Sequence, residues 1–184
     1  MIGGDFTEVL AAAQEGNEQA FSRLWRDCNP ALLRYLRVIA PESAEDVAAE
    51  TWLHVVRRLA NFRGDEQAWR AWLFTTARRR MIDQARHRSR RPEKPLEEAL
   101  PSQMPVSADT ADLAIEHIDT RSAMALVAQL PPHQAEVILL RVVAGLDTET
   151  VARLVARTPG AVRVAAHRGL RRLAAILAEA GVML

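Results

Sequence analysis

Apolar residues recur along this chain at spacings of three and four, as in helices that each bury one face, and no stretch alternates long enough to make a strand. The first stripe predicts a helix from about Phe6 to Glu15, stopped by Gly16. Asn17 is placed to cap a second, with Ala20, Phe21, Leu24 and Trp25 on its apolar side. Pro30 reads as the first residue of a third, with Leu33, Leu36 and Val38–Ile39 turned inward. Ser43, followed three residues on by Asp46, resembles a capping box and opens a helix to about Ala60, striped by Val47, Thr51, Val55 and Leu59. Asn61–Phe62–Arg63–Gly64 reads as a loop, and Asp65 as the cap of a long helix carrying Trp69, Trp72, Leu73, Thr76 and Met81. That helix turns polar at His87–Arg91 and is stopped by Pro92 and Pro95.

Residues 92–112 hold four prolines, several acids and small polar residues without a period, and read as a linker. A second helical set starts near Leu113, with helices predicted at about 113–129, 132–144 and 148–155, and a last one from Pro159 to about Ala180. Leu130–Pro131–Pro132 and Gly145 punctuate it. The expected fold class is therefore all-α: two small helical domains, residues 1–91 and 113–184, joined by a flexible linker at 92–112. With 49% of its 184 residues apolar, the chain can build real cores and is not a disordered protein.

Net charge is only +1, but the charge is segregated. Residues 78–91 hold seven arginines and one acid, Asp83; residues 151–178 hold six arginines and no acid. Between them, residues 93–119 hold seven acids and one base, Lys94, the only lysine in the chain. Two basic patches with an acidic connector suit two contacts on one polyanion. Arginine offers a planar fork of donors that fits phosphates and guanine edges. Coding bias in a GC-rich genome would also raise the arginine content, but it does not explain the clustering.

The second patch has a recognisable frame. Asp147 to Val155 is a short amphipathic helix, Ala156–Arg157–Thr158 a tight turn, and Thr158–Pro159 a cap followed by a first-turn proline. Val151, Ala152, Val155, Val162 and Ala166 can pack the two helices together as a helix-turn-helix, leaving Arg157, Thr158, Arg163, His167 and Arg168 outward. Recognition helices read bases through their N-terminal turns, which makes Thr158, Gly160, Ala161, Arg163 and Val164 candidate readers. Arg168, Arg171 and Arg172 lie further along, at the height of phosphates. In the first patch, Trp69 and Trp72 share a helix face. They are either core anchors or stacking platforms for bases that have left the duplex, with Arg78, Arg79, Arg86 and His87 holding the backbone alongside.

Other chemistries find no footing. His54, His117 and His133 lack metal-ligand spacing, and neither a glycine-rich phosphate loop nor a nucleophile motif is present. No metal, cofactor or catalytic residue is expected. The lone Cys28 excludes an internal disulfide and fits a reducing compartment. With no basic-then-apolar leader and no run of about 18 apolar residues, a cytoplasmic protein without a membrane partner is expected.

Several segments together resemble the extracytoplasmic-function group of the sigma-70 family of RNA polymerase sigma factors. They are Asn17–Glu18–Gln19–Ala20–Phe21, the run Ala44 to Leu53, the run Trp69 to Arg78 continuing through Ile82–Asp83, Leu130 to Val137, Arg141 to Leu146, and His167 to Leu173. The likeness covers about residues 15–91 and 113–177. It implies a DNA-binding protein, not an enzyme, whose partners are core RNA polymerase, through its β′ clamp helices and β flap, and promoter DNA. Asp46, Glu50 and Leu53 would dock on the clamp helices. Loop Asn61–Gln67, with Asn61, Phe62 and Arg63, would capture a flipped base of the −10 element. The helix bearing Trp69, Trp72, Arg78, Arg79, Arg86 and His87 would melt and read that element. Arg157, Thr158, Gly160, Ala161, Arg163, His167, Arg168, Arg171 and Arg172 would meet the −35 element. A separate anti-sigma factor is a further candidate partner that the sequence leaves undecided. The chain departs from the family pattern at Ala49, commonly Gln, and at Val164–Ala165, which suggests a different −35 preference. With little chain after the last helix, no fused regulatory domain is expected.

Two other classes compete with that reading. A stand-alone regulator would need only the helix-turn-helix and would bind duplex operators unaided. A pure interaction module would need no paired basic surfaces.

Overall fold

The apolar stripes fold into helices, with no strand among the described residues; the structure is a computed structural model that describes residues 2–90 and 120–179. A 3₁₀ turn at Gly3–Asp5 leads into α1 (Phe6–Gln14), α2 (Glu18–Ile39), α3 (Ala44–Arg58) and α4 (Glu66–Arg90). The second set is a helix over residues 120–127 (α5), then α6 (Pro132–Ile138), α7 (Thr148–Val155) and α8 (Pro159–Glu179). The linker expected at 92–112 and the helix start expected near Leu113 lie outside the described residues.

Several ends fall where local chemistry puts them. The Asn17 side chain accepts a hydrogen bond from the Ala20 N–H (3.0 Å), and Asp65 accepts one from the Ala68 N–H (2.8 Å). Two expectations need correction. Pro30 does not open a helix; α2 runs straight through it for 22 residues. An interior proline loses one backbone hydrogen bond, a cost of about 3 kcal/mol. The buried stripe Leu24, Cys28, Ala31, Leu32, Tyr35 and Leu36 continues in phase on both sides of it, and its burial outweighs that cost. Ser43 is no capping box either: it ends a 3₁₀ turn (Pro41–Ser43), makes no cap bond, and accepts instead from Arg88 Nη2 at 3.0 Å.

In the first set α2 packs on α1 and α3, and α3 on α4. Leu24, Leu32, Tyr35, Leu36, Val47, Val55, Trp69, Leu73 and Phe74 are closed off from solvent, with Tyr35 edge-on to Phe74 at 5.6 Å. In the second set α8 lies across α6 and α7 over Leu139, Leu140, Leu146, Val151 and Val162. Here α6 is shorter than expected: beyond Ile138 the chain widens into a π-helical turn, Leu139–Val143, closed by the Ala144 N–H on Leu139 O at 2.9 Å. The two sets meet where α2 packs against α6 and this π turn. Among the described residues no helix is long and apolar enough to cross a membrane.

Candidate nucleic-acid interfaces

Asp147 starts the helix-turn-helix by accepting from the Thr150 N–H (2.7 Å) and from its hydroxyl (2.9 Å). The backbone bond from Thr150 is the main reason the Asp147 carboxyl sits below its ordinary pKa. α7 ends at Ala156, a non-glycine residue in the left-handed region (φ 54°), and the Arg157 N–H closes the turn on Ala152 O at 2.9 Å. Thr158 Oγ1 then caps α8 by accepting from the Ala161 N–H at 3.2 Å. Val151, Ala152 and Val162 are buried and Val155 and Ala166 half-buried, so the two helices pack on the face read from the sequence.

That packing leaves Arg157, Thr158, Gly160, Ala161, Arg163, His167, Arg168, Arg171 and Arg172 all exposed. Among the described residues, none of the five arginines is in an ion pair. Unneutralised guanidinium groups along one exposed helix, with the cap at its start, form a surface suited to phosphates and base edges.

The first basic patch is less uniform. Trp69 is buried at 1% exposure, edge-on to Phe62 (5.5 Å) and Trp72 (5.6 Å); it is a core anchor, which corrects the expectation that it stacks on a base. Trp72 is half-buried and lies nearly parallel to Phe62 at 5.1 Å. Asn61 is exposed, while Arg63 folds back to donate to Ala60 O (2.8 Å) and Phe62 O (2.6 Å). Arg79, Arg86 and His87 are exposed, and among the described residues the one ion pair they make is a long one, Arg86 to Asp83 at 4.0 Å. Arg78 is engaged: its Nε donates to Glu136 of α6 at 2.8 Å, and the same oxygen accepts from the Tyr35 hydroxyl at 3.1 Å. Burial pulls the Arg78 pKa down, but the hydrogen bond and charge of Glu136 outweigh it and the net shift is upward. A cleft of about 320 Å³ opens between α4 and α7, lined by Arg78, Arg79 and Arg153 and by no acid.

The α3 face is of another kind. Asp46 is exposed, and no ion pair to it is formed among the described residues. Glu50 holds Arg80 at 3.4 Å, and Leu53 stands 56% exposed with Val56 one turn on at 54%. An acid and two exposed apolar side chains are the makings of a protein-docking surface rather than a DNA face. Arg80 also lies 3.4 Å from His54 Nδ1; slight burial first, then the charges of Arg80, Arg58 and Arg57, hold that imidazole below its ordinary pKa. No three His, Cys, Asp or Glu residues among those described converge as a metal site.

Sequence reasoning passed over Gln14, Arg70 and Arg80 as organising residues. Arg70 is 5% exposed and ties Asp27 (2.7 Å) and Glu66 (3.8 Å) to Ala144 O (3.2 Å) across the two helix sets. Its i, i+4 spacing from Glu66 was the available signal. Gln14 had none.

The family model for Sigma-70 region 2 matches residues 24–91, and that for Sigma-70, region 4 matches residues 120–173. The chain is 33% identical over 187 residues to the ECF RNA polymerase sigma factor SigD of Mycobacterium tuberculosis, covering 98% of this chain and 88% of that protein. It is 34% identical over 188 residues to the ECF RNA polymerase sigma factor ShbA of Streptomyces griseus, covering 94% and 97%. Two solved structures share its fold. One is CnrH in complex with the cytosolic domain of CnrY (TM-score 0.59, 22% identity, 95% of this chain and 97% of that chain). The other is the sigma factor RpoE in complex with the anti-sigma factor NepR, from Bartonella quintana (TM-score 0.58, 22% identity, 85% and 96%).

Proposed function

The chain belongs to the extracytoplasmic-function group of the sigma-70 family, the sigma factors that direct RNA polymerase to promoters, and we propose how its surfaces divide that work. Residues 1–91 form the unit that docks on the β′ clamp helices and opens the −10 element; residues 113–184 form the −35 reader, which also meets the β flap; residues 92–112 connect them. Asp46, Glu50 and Leu53 carry the clamp contact. Loop Asn61–Gln67 receives a flipped non-template base, with Trp72 and Phe62 as the aromatic platform and Arg79, Arg86, His87 and, once released from Glu136, Arg78 along the backbone. The exposed face of α8 from Thr158 to Arg172 reads the −35 element.

One observation carries this reading: two separate exposed basic faces on one chain, beside an α3 face that is acidic and apolar. Capturing an unstacked base offsets a melting cost of roughly a few kcal/mol, so melting can proceed without ATP and the polymerase supplies the catalysis. Such a protein works in the cytoplasm. An anti-sigma factor of the kind bound to the RpoE neighbour is a further candidate partner.

Run-off transcription with purified core polymerase and sheared DNA of the source genome tests the reading. New discrete 5′ ends that appear only with the protein, preceded by shared −10 and −35 sequences, are expected. Tight sequence-specific duplex binding without any polymerase binding would instead identify a stand-alone regulator. Arg163→Ala should lower transcription from a −35-dependent promoter by about tenfold or more, the loss expected of one base contact worth roughly 1–3 kcal/mol.

A further inference from the structure

Where α3 ends, the chain turns through Leu59–Asn61 and extends at Phe62 before Asp65 caps α4. Carbonyls at a helix end have no partner within the helix and need donors from elsewhere. Here the Phe62 N–H reaches Leu59 O at 3.0 Å, and side chains supply the other donors. Gln14 Nε2 donates to Leu59 O at 2.9 Å and to Phe62 O at 2.8 Å. Arg63 Nη1 donates to Ala60 O at 2.8 Å and to Phe62 O at 2.6 Å. Gln14 comes from α1, which precedes the residues that the region 2 model matches. Phe6, Val9, Leu10 and Ala13 are buried as α1 packs on α2, so the amide is delivered from a fixed helix. The same N-terminal segment braces the start of α4, where the N–H groups of Ile2 and Gly3 donate to the two carboxylate oxygens of Glu66 at 2.8 and 3.0 Å.

The loop has little slack of its own. A Cβ at Gly64 (φ 154°) would lie 2.7 Å from Ala68 Cβ and 3.2 Å from the Phe62 ring, and Phe62 is stacked on Trp72. Holding the Phe62 carbonyl therefore fixes the aromatic platform as well as the backbone.

We propose that Gln14 is a positioning residue for promoter melting: α1 uses its amide to hold the entry to loop Asn61–Gln67, at Leu59 and Phe62, in the form that receives the flipped base. The proposal rests on the reading of that loop as the base-capturing one. A receptor that is ordered beforehand does not lose binding energy to ordering itself when the base arrives. Without the amide, Leu59 O keeps only the Phe62 N–H (3.0 Å) and Phe62 O only the exposed Arg63 (2.6 Å), both from within the loop, so the loop loses its tie to α1 and samples other shapes. The loss falls on −10 opening and leaves core binding and −35 reading intact.

The test uses the full chain with core polymerase. Gln14→Glu keeps size and helix propensity but presents a carboxylate, which cannot donate and repels both carbonyls. Gln14→Lys keeps a donor. Open-complex formation is followed by fluorescence of a base analogue in the −10 element, on a promoter with its own sequence and on one made abasic at the captured position. Gln14→Glu should slow opening about tenfold, what one or two hydrogen bonds contribute between them, and should flatten the distinction between the two promoters. Gln14→Lys should restore most of both, with core affinity unchanged throughout. Wild-type opening by Gln14→Glu, while Phe62→Ala impairs it, would overturn the role of Gln14. Wild-type opening by both would overturn the reading of the loop itself. Loss of core affinity and thermal stability in Gln14→Glu, unrescued by Gln14→Lys, would make the residue a structural brace only and overturn the proposal.

Discussion

Cys28 shows what burial does to a single side chain. It is fully closed off in the core, one residue from Asp27, and burial pushes its thiol up from 9.0 to about 11. Thiol reagents attack the thiolate, so folded protein at pH 8 should not react with a disulfide reagent, whereas protein in denaturant should consume one equivalent at once. Rapid labelling of the native form would show that α2 opens locally at this point. The same shift has a pH consequence. With the folded pKa above the unfolded one, the contribution of Cys28 is fully present below pH 9 and is lost as the pH rises toward 11. At about 1.4 kcal/mol per unit, the shift from 9.0 to about 11 amounts to roughly 3 kcal/mol. Urea unfolding of wild type and Cys28→Ala at pH 8, 9.5 and 11 should therefore show the stability difference between them falling across that window. A constant difference would remove the thiol as its cause.

Among the elements, α8 crosses α6 closely at Gly169. A Cβ at Gly169 would lie 2.5 Å from Ile138 Cδ1 and 3.4 Å from Gln134 Cβ, with Ile138 itself buried. Ala is the better helix former by about 1 kcal/mol, but overpacking costs about 1–3 kcal/mol. Gly169→Ala should thus destabilise by about 1 kcal/mol in chemical denaturation. In an Ile138→Val background, where the clashing atom is gone, the same change should become neutral or stabilising, a sign reversal that a double-mutant cycle reads directly. At the start of α7, Asp147→Ala removes two hydrogen bonds and should cost about 1 kcal/mol. Since the Asp147 carboxyl is held below its usual pKa of 3.8, that stabilisation is present at neutral pH and disappears as the pH falls through the folded value. Elements like these were largely legible, because amphipathic period and caps such as Asn17, Asp65 and Thr158 are written locally. Pro30 misled where the residue was read ahead of the stripe: Leu24, Cys28, Ala31 and Tyr35 stay in phase through it. The outward arginines of α8 were legible as the complement of a buried face. Trp69 and Trp72 share a face yet differ in exposure, with Trp69 edge-on to both Phe62 and Trp72, and Trp72 stacked on Phe62, and the spacing carries no record of that.

The contacts between the two helix sets set the state of the whole molecule. Glu136 reaches across from α6, accepting from Arg78 at 2.8 Å and from the Tyr35 hydroxyl at 3.1 Å; Arg70 donates to Ala144 O and Gln67 to Gly145 O, both at 3.2 Å. Glu136 and Arg78 are only 15% and 24% exposed, and Tyr35 is buried, so the bridge is shielded and less screened by salt than a surface pair. Burial, and then the neighbouring Glu136 charge, hold the Tyr35 hydroxyl well above its ordinary pKa, so it remains a donor through the physiological range. Arg78 commits its Nε, and with it much of its charge, to Glu136. The −10 contact proposed for it therefore competes with a carboxylate of its own chain. Glu136→Gln removes the charge while keeping an acceptor for Tyr35, which should weaken the bridge by about 1–3 kcal/mol. Dye pairs placed on α1 and α8, away from the described contacts, should then report a longer and broader separation in the free protein. Promoter association by holoenzyme should be unchanged or faster, since the competing anion is gone. An unaltered distance distribution would show that apolar packing of α2 against α6 and the π turn holds the two sets together without this bridge. Slower promoter association together with a looser free chain would mean that the closed arrangement assists loading instead of competing with it.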